Sequence, residues 1–196
     1  FNLGDDSLGI MREKGSKAEG RAIVAVTMPA PSEIVLAGSG EIDAPALAEK
    51  AQVNMAGSGT VRVAKVASTR LSVNVMGSGK LEAAGAAEKL DFNVAGSGQL
   101  AARGLKVERA EINIAGSGGG EFASDGKVSA NVAGSGEVTV YGRAECKISA
   151  MGSGKLRCRN ASGDWGDDAK PAAPKAPKAP KAAIAPPAPE APAAPD

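Results

Sequence analysis

The chain has 196 residues, a formal net charge of +1 and no histidine. The lack of histidine excludes a histidine-based nucleophile triad or general base. The near-zero charge argues against electrostatic attraction to nucleic acid or membranes as the main activity, and no basic patch stands out. Aromatic residues make up 3% of the chain and glycines number 26, so a core must be aliphatic and thin. No apolar run is long enough to cross a bilayer.

The N-terminal part predicts little regular structure before residue 21. Residues 1–20 are polar, contain glycine and carry lysine and aspartate clusters, which favours an irregular segment. The chain begins at Phe1 in what resembles the end of a strand, as expected of an excised or processed fragment. Residues 21–28 are predicted to form a strand that stops before Pro29 and Pro31, because proline fits an edge or a corner better than a ladder centre.

A Gly-Ser-Gly triplet then recurs seven times, at spacings of 19, 20, 19, 20, 18 and 18 residues. A fixed period of this size indicates a repeat architecture. Glycine suits a corner because it reaches positive φ and lets neighbouring turns approach closely. We interpret the triplets as structural corners, with serine hydroxyls bonding from turn to turn or to water, rather than as a ligand ledge. They are Gly38, Ser39, Gly40; Gly57, Ser58, Gly59; Gly77, Ser78, Gly79; Gly96, Ser97, Gly98; Gly116, Ser117, Gly118; Gly134, Ser135, Gly136; and Gly152, Ser153, Gly154.

The residues around each triplet alternate between apolar and polar. Val73 and Val75, for example, alternate with Ser72 and Asn74, and a second short alternation follows at 60–63. A period of two predicts half-buried strands. The sequence therefore predicts an all-β fold, a parallel β-helix (solenoid) of about seven turns of 18–20 residues over residues 21–165.

An asparagine recurs three residues before most triplets. In stacked parallel strands such residues form side-chain amide ladders. We interpret the row as an outward, mainly solubilising ladder, with a binding site as the alternative. The row consists of Asn54, Asn74, Asn93, Asn113 and Asn131.

One turn lacks a core side chain, because Gly120 occupies a position that is apolar in the other turns. We expect Phe122 to fill the space, and Gly120→Val to be tolerated or slightly stabilising.

Both cysteines belong to the last turn, and Cys146 and Cys158 are predicted to point inward across one corner. Two thiols without histidine do not make a tetrahedral zinc site, and no metal or cofactor is expected. A disulfide and two buried free thiols both remain open. A disulfide would stabilise by about 3 kcal/mol in the chain-entropy model and would imply an oxidising compartment.

The composition changes after residue 160. Trp165 is interpreted as a cap on the open end of the solenoid, with a binding aromatic as the alternative. Residues 166–196 predict a disordered Ala/Pro/Lys tail, since nine of the twelve prolines lie there. A spacer is favoured for this tail over a wall-spanning stalk or a weak ligand for anionic polymers through Lys170, Lys175, Lys178 and Lys181.

Motifs for chemistry are weak. Gly77-Ser78-Gly79-Lys80 resembles the end of a phosphate-binding loop, but the upstream glycine is missing and Leu81 replaces the magnesium-binding Ser or Thr. The outward acids lie on different turns and fit solvated faces, so catalysis is not expected; these are Asp43, Glu82, Asp91 and Glu111.

The repeats VNMAGSG, VNVMGSG, FNVAGSG, INIAGSG and NVAGSG, followed by CKISAMGSGKLRCRN, resemble the bacterial family called putative auto-transporter adhesin, head GIN domain. The resemblance covers residues 21 to about 160. It implies a right-handed parallel β-solenoid on an exported protein of a Gram-negative bacterium, located in the periplasm, on the outer-membrane surface or outside the cell. It implies no known enzymatic activity. Members usually carry an export signal and an earlier β-rich portion, which this sequence does not include.

Two functions follow from the solenoid and the resemblance. The first is a non-catalytic extracytoplasmic binding module that adheres to an unknown surface glycan or protein, because solenoid faces suit extended partners. The alternative is a self-assembling envelope scaffold similar to bactofilins, since open solenoid ends carry unpaired backbone groups. The expected state is a monomer or a weak end-to-end oligomer.

Overall fold

The computed structural model describes residues 2–3, 8–9, 23–159 and 165–166. These ranges contain β-strands and no helix. The strands are β1 (Asn2–Leu3), β2 (Leu8–Gly9), β3 (Glu33–Gly38), β4 (Glu41–Ala46), β5 (Lys50–Gly57), β6 (Thr60–Gly77), β7 (Lys80–Gly96), β8 (Gln99–Gly116), β9 (Gly119–Gly134), β10 (Glu137–Tyr141), β11 (Glu145–Gly152), β12 (Lys155–Arg159) and β13 (Trp165–Gly166).

Strands β3 to β12 pair in parallel, each with the strand one turn earlier or later. β3 pairs with β5, strands β5 to β9 follow in chain order, and β9 pairs with both β10 and β11. The triplets stay in register, so that Gly57 lies opposite Gly77, which lies opposite Gly96. Parallel pairing between successive turns makes a β-solenoid, which confirms the predicted architecture.

Each complete turn has three sides. In β6 the buried residues alternate as Val61 and Val63, then Val66 and Ser68, then Leu71 onward. The alternation breaks at residues 64–65 and 69–70, where two consecutive residues face outward, and the triplet makes the third corner. We call residues 70–76 and their register partners the asparagine face, residues 60–64 and theirs the charged face, and residues 66–69 and theirs the short face.

The core is a column of aliphatic side chains with two phenylalanines. Val53, Val73 and Ile112 are fully buried, as are Phe92 and Phe122. Each turn contributes side chains from all three sides, so burial is completed only when turns stack. Every buried side-chain polar atom among the described residues has a hydrogen-bond partner.

From the second triplet onward, the two glycines of a triplet are needed for different reasons. Gly77 has φ of 114°, and a Cβ there would lie 2.6 Å from the carbonyl oxygen of Gly57 in the preceding turn. The backbone N–H of Ser78 donates to that same oxygen at 2.9 Å. Gly79 instead faces the interior, where a Cβ would lie 2.9 Å from Cε of Met55. The first glycine thus permits close backbone approach and the second makes room for a core side chain.

The predicted strand at 21–28 is wrong for the residues that the structure describes. Residues 23–30 form no strand, and Ile23 is 90% exposed. Alternating β-branched residues indicate strand propensity, but a strand also needs a hydrogen-bonding neighbour, and none pairs with this segment within the described ranges. Within residues 1–20, β1 and β2 form an antiparallel pair; the rest of that segment lies outside the described residues.

At the C-terminal end, β13 adds to β12 in the antiparallel direction, with Cys158 opposite Gly166. The backbone of Trp165 therefore continues the sheet. The predicted capping by its ring falls outside the described residues. So does the predicted disordered tail of 166–196, except for Gly166, which belongs to β13.

The prediction that position 120 faces the core is correct, but the core has no free space there for a valine side chain. A Cβ at Gly120 would point at the core, 3.1 Å from Cβ of Leu100 and 3.4 Å from Cε1 of Phe92. Phe92, from two turns earlier, already reaches this site, while Phe122 is buried at a separate inward position. The expected tolerance of valine is therefore not supported by the structure.

We predict that Gly77→Ala lowers the free energy of unfolding by about 1–3 kcal/mol, because the residue has a left-handed backbone and the added Cβ meets backbone atoms that no rotamer change can move. Ser78→Ala at the same corner is the control, since Ser78 is exposed and its side chain has no protein hydrogen bond in the described chain. Chemical denaturation would measure both. Equal stability of the two variants would contradict the close-approach explanation.

We predict that Gly120→Val destabilises by about 1–3 kcal/mol through overpacking against Leu100 and Phe92, whereas Gly120→Ala costs less. Ala101→Val, on the outward side of the neighbouring strand, is the matched control and should change stability little. Thermal unfolding of the three variants provides the comparison. An increase in melting temperature for Gly120→Val would show that the core relaxes to accept it.

Candidate binding surface on the asparagine face

The asparagine face carries a continuous ladder of side-chain hydrogen bonds. Each asparagine after Asn54 donates from Nδ2 to Oδ1 of the asparagine one turn earlier, over 2.9 to 3.0 Å. At one end, Asn54 donates to Oε1 of Glu33 at 2.9 Å and accepts from Nε2 of Gln52 at 3.1 Å. At the other end, Asn131 lies opposite Ser149 of the next turn. This asparagine ladder consists of Asn54, Asn74, Asn93, Asn113 and Asn131.

The ladder leaves hydrogen-bonding capacity at the surface. A primary amide has two N–H donors and an oxygen with two lone pairs. Asn74 and Asn93 use one donor and one lone pair each within the ladder. Both side chains belong to half-buried residues on an outward-facing strand surface. The amides are thus held in fixed positions and can still bond a ligand or water.

The register also stacks five basic residues along one edge of the asparagine face. Lys50 lies opposite Arg70, and the pairing continues turn by turn to Lys127. Neighbouring strands are about 4.8 Å apart, so the five residues extend over ~19 Å. The expectation that no basic patch stands out is wrong, because residues that are 18 to 20 positions apart in the chain, each seven residues before a triplet, become neighbours in the structure. This basic column consists of Lys50, Arg70, Lys89, Arg109 and Lys127.

Two acidic residues partly neutralise the middle of the basic column. Nζ of Lys89 lies 2.9 Å from Oδ1 of Asp91 and 4.0 Å from Oε2 of Glu111. Nε of Arg70 lies 3.6 Å from Oδ2 of Asp91. The other members of the column form no ion pair with any described residue. These are Lys50, Arg109 and Lys127.

The charged face is organised differently, because its ionic groups bind one another across turns. Arg62 pairs with Glu41 and with Glu82, the latter at 2.9 Å, and lies 3.7 Å from Asp43. Lys80 also lies 2.7 Å from Glu82. The hydrogen bonds from Lys80 and Arg62 hold the pKa of Glu82 below its ordinary value.

A second cross-turn cluster lies further along the charged face. Arg103 pairs with Glu121 at 2.7 Å, and this hydrogen bond raises the pKa of Arg103. The guanidinium also stacks 5.5 Å from the ring centre of Tyr141. A shallow groove of about 730 Å³ lies between the two clusters, with a floor of small residues that includes Ala64, Ala84 and Gly104. Because most of its charges are already paired, this face is better suited to joining turns than to binding an ionic ligand.

The four acids considered for catalysis come together in pairs, each around a cation. Asp43 and Glu82 both approach Arg62, and Asp91 and Glu111 both approach Lys89. Within the described ranges, no group of three or more His, Cys, Asp or Glu residues is arranged to hold a metal ion. The arrangement is that of surface ion pairs between turns.

The corner serines present a regular row of exposed hydroxyls, and their link to the preceding turn is made by the backbone. The N–H groups of Ser58, Ser97 and Ser135 donate to the first glycine of the preceding triplet at 2.8 to 3.0 Å. Across the described chain, the corner hydroxyls bond no other protein group. The expected hydroxyl bonds from turn to turn are therefore not formed.

Of the two alternatives for the cysteines, the structure contains the disulfide. Cys146 in β11 and Cys158 in β12 are bonded, with their Cα atoms 6.7 Å apart. Both are partly buried and pack against the core cluster. The bond closes the last turn, where β11 and β12 belong to different sides of the solenoid.

We predict that Asn93→Ala destabilises more than Asn131→Ala. Asn93 both donates to Asn74 and accepts from Asn113, whereas Asn131 makes one ladder bond at its end. With about 1 kcal/mol for each net hydrogen bond, the central variant should lose ~2 kcal/mol and the terminal one about half as much. Urea denaturation measures both losses. Equal losses of stability would show that hydrogen bonds between the amides are no more favourable than their hydrogen bonds to water.

The comparisons with known proteins agree with this architecture. The model of the family described as "Putative auto-transporter adhesin, head GIN domain" matches residues 1–144. The match therefore includes the N-terminal residues and stops before the disulfide-bonded last turn. No curated protein and no solved structure matches the chain. In the described residues, no helix is long and apolar enough to cross a membrane. By its repeats and by the extent of the match, the chain belongs to the auto-transporter adhesin, head GIN domain family.

Proposed function

We propose that the chain is a non-catalytic extracytoplasmic binding module that attaches to a glycan or protein on a surface through its asparagine face. Membership in an adhesin family suggests an extracellular binding or structural role, and both the family and the solenoid suggest a non-enzymatic one. The disulfide is consistent with an oxidising, extracytoplasmic location. We assign that location to the envelope or exterior of a Gram-negative bacterium.

The observation that carries this proposal is the asparagine ladder. It fixes one amide in each turn at the strand spacing, over five turns, by bonds between side chains. A partner with its own regular spacing, such as an extended polymer, can contact the same groups in each turn. Since the amides are already ordered, binding costs little side-chain entropy. The charged face lacks this property because its side chains differ from turn to turn and join in ion pairs, so that they present no regular row of identical groups.

The test is binding of the purified chain to a glycan array and to whole bacterial and host cells. Ala95 is exposed on the asparagine face, so Ala95→Tyr should block binding there. Ala64→Tyr places the same ring at an exposed corner of another side and should leave binding unchanged. Binding that never rises above background would refute the proposal. Equal binding by the two variants would refute the asparagine face as the site.

One observation favours a self-assembling scaffold as the second candidate. β3 pairs with β5 alone among the described strands, and Val35 on β3 is 64% exposed. An edge strand of this kind can add a strand from another chain. At the other end, β13 and the disulfide cover part of the last turn. Light scattering over a range of protein concentration tests this candidate, and a constant monomer mass would exclude it.

A further inference from the structure

We infer that the partner is a linear, acidic polysaccharide, and that it lies along the basic column, parallel to the solenoid axis. This inference rests on the proposed function and names the chemical class of its partner. Five cations, Lys50, Arg70, Lys89, Arg109 and Lys127, are stacked one per turn by the parallel register. A polymer with carboxylate or sulfate groups at similar intervals can pair with several of them at once.

The spacing of the basic column suits an extended sugar chain. Successive cations are separated by the strand spacing of about 4.8 Å. This is close to the length of one sugar unit in an extended polysaccharide, so charges on successive or alternate units stay aligned with the column. The three members that form no ion pair with a described residue lie at the two ends of the column and are available for such contacts. They are Lys50, Arg109 and Lys127.

Acidic residues on both sides limit the column to a narrow partner. On the asparagine face, Asp91 and Glu111 each lie two residues after the basic residue of their own turn. In the last turn, Lys147 occupies the position that corresponds to these acids. On the other side of the column, across the corner, an exposed acid directly precedes the basic residue in three turns; these acids are Glu49, Glu88 and Glu108. In the last turn, Glu145 takes the position of the column itself, opposite Lys127.

The flanking acids decide between classes of polyanion. A positive line between negative rows attracts at close range, while its field cancels at larger distances. A duplex nucleic acid or an anionic membrane is wide enough to bring its charge over the flanking acids as well. Binding of single strands would use exposed aromatic side chains for stacking. Among the described side chains, Phe92 and Phe122 are buried, and the ring of Tyr141 already stacks with the guanidinium of Arg103. A slender acidic glycan fits these constraints best.

Polar side chains between the basic column and the asparagine ladder add hydroxyl recognition to this charge recognition. The ladder runs parallel to the basic column, four residues away along each strand, which corresponds to about 13 Å. Between the two rows lie short polar side chains in some turns, such as Gln52, Ser72 and Ser129. A sugar chain over the basic column can therefore reach polar groups on the asparagine side while its acidic groups face the cations.

The test compares three proteins that span residues 1–196: the parent chain, Arg109→Gln/Lys127→Gln and Lys65→Gln/Lys155→Gln. Both double variants lose two positive charges, and all four positions are exposed and without ion pairs in the described chain. Lys65 and Lys155 lie away from the basic column. The tail lysines are identical in the three proteins, so the column alone accounts for any difference. Circular dichroism and thermal unfolding check that all three fold alike.

The probes are polygalacturonate, dextran sulfate, neutral dextran, a DNA duplex and vesicles with anionic lipid, with binding measured by calorimetry at low and physiological salt. We expect binding to an acidic polysaccharide that weakens with salt, and no binding to neutral dextran. Arg109→Gln/Lys127→Gln should weaken it on the order of tenfold, and the control variant by less than about twofold.

Three results would overturn the inference. Equal weakening in both double variants would show a general charge effect, and equal or tighter binding of DNA or vesicles would reject the glycan class. Lack of binding to both acidic polysaccharides, with retained cell binding that Ala95→Tyr abolishes, would refute the acidic partner and leave the proposed function intact. If neither the parent chain nor any variant binds to cells, the proposed function itself is refuted.

Discussion

The close approach of backbone at the Gly-Ser-Gly corners is the constraint on which the rest of this structure depends. Successive first glycines lie so near that a Cβ at Gly77 would meet the carbonyl oxygen of Gly57. The N–H of Ser78, which follows Gly77, donates to that same oxygen. If one turn slid along the strand direction relative to the next, the contacts between their two corners would break. The corners therefore hold all turns in one register.

A common register turns a sequence repeat into chemical columns on the surface. Residues that are 18 to 20 positions apart become neighbours at the strand spacing, and the same side chain in each turn makes a continuous row. The asparagine ladder and the basic column arise in this way on one face. On the charged face, alternation of sign between turns produces ion pairs instead, as for Arg62 with Glu82. The same geometry thus gives one face with available polar groups and another with groups that bind each other.

The two ends of the described solenoid differ. β3 has one strand neighbour within the described part, whereas the last turn is closed by the disulfide and extended by the antiparallel β13. The family match stops at residue 144, just before β11, so the disulfide-bonded turn lies beyond it. Its stacking nonetheless continues the register, since Gly152 lies opposite Gly134. The covalent link thus closes a turn that the preceding turns position.

The sequence by itself determined the solenoid, its period and the inward or outward direction of most strand residues, because these depend on local alternation and on the spacing of glycines. It also indicated the asparagine row, since identical residues recur at one position of the repeat. The basic column is encoded in the same way, since its members recur seven residues before five of the triplets, but lysine and arginine alternate along it, so that no single residue type marks the row. Tertiary structure alone decided the space at Gly120, which Phe92 reaches from two turns away, and the absence of pairing for residues 23–28 within the described chain. In each of these cases the deciding partner comes from another part of the chain, and local periodicity contains no information about it.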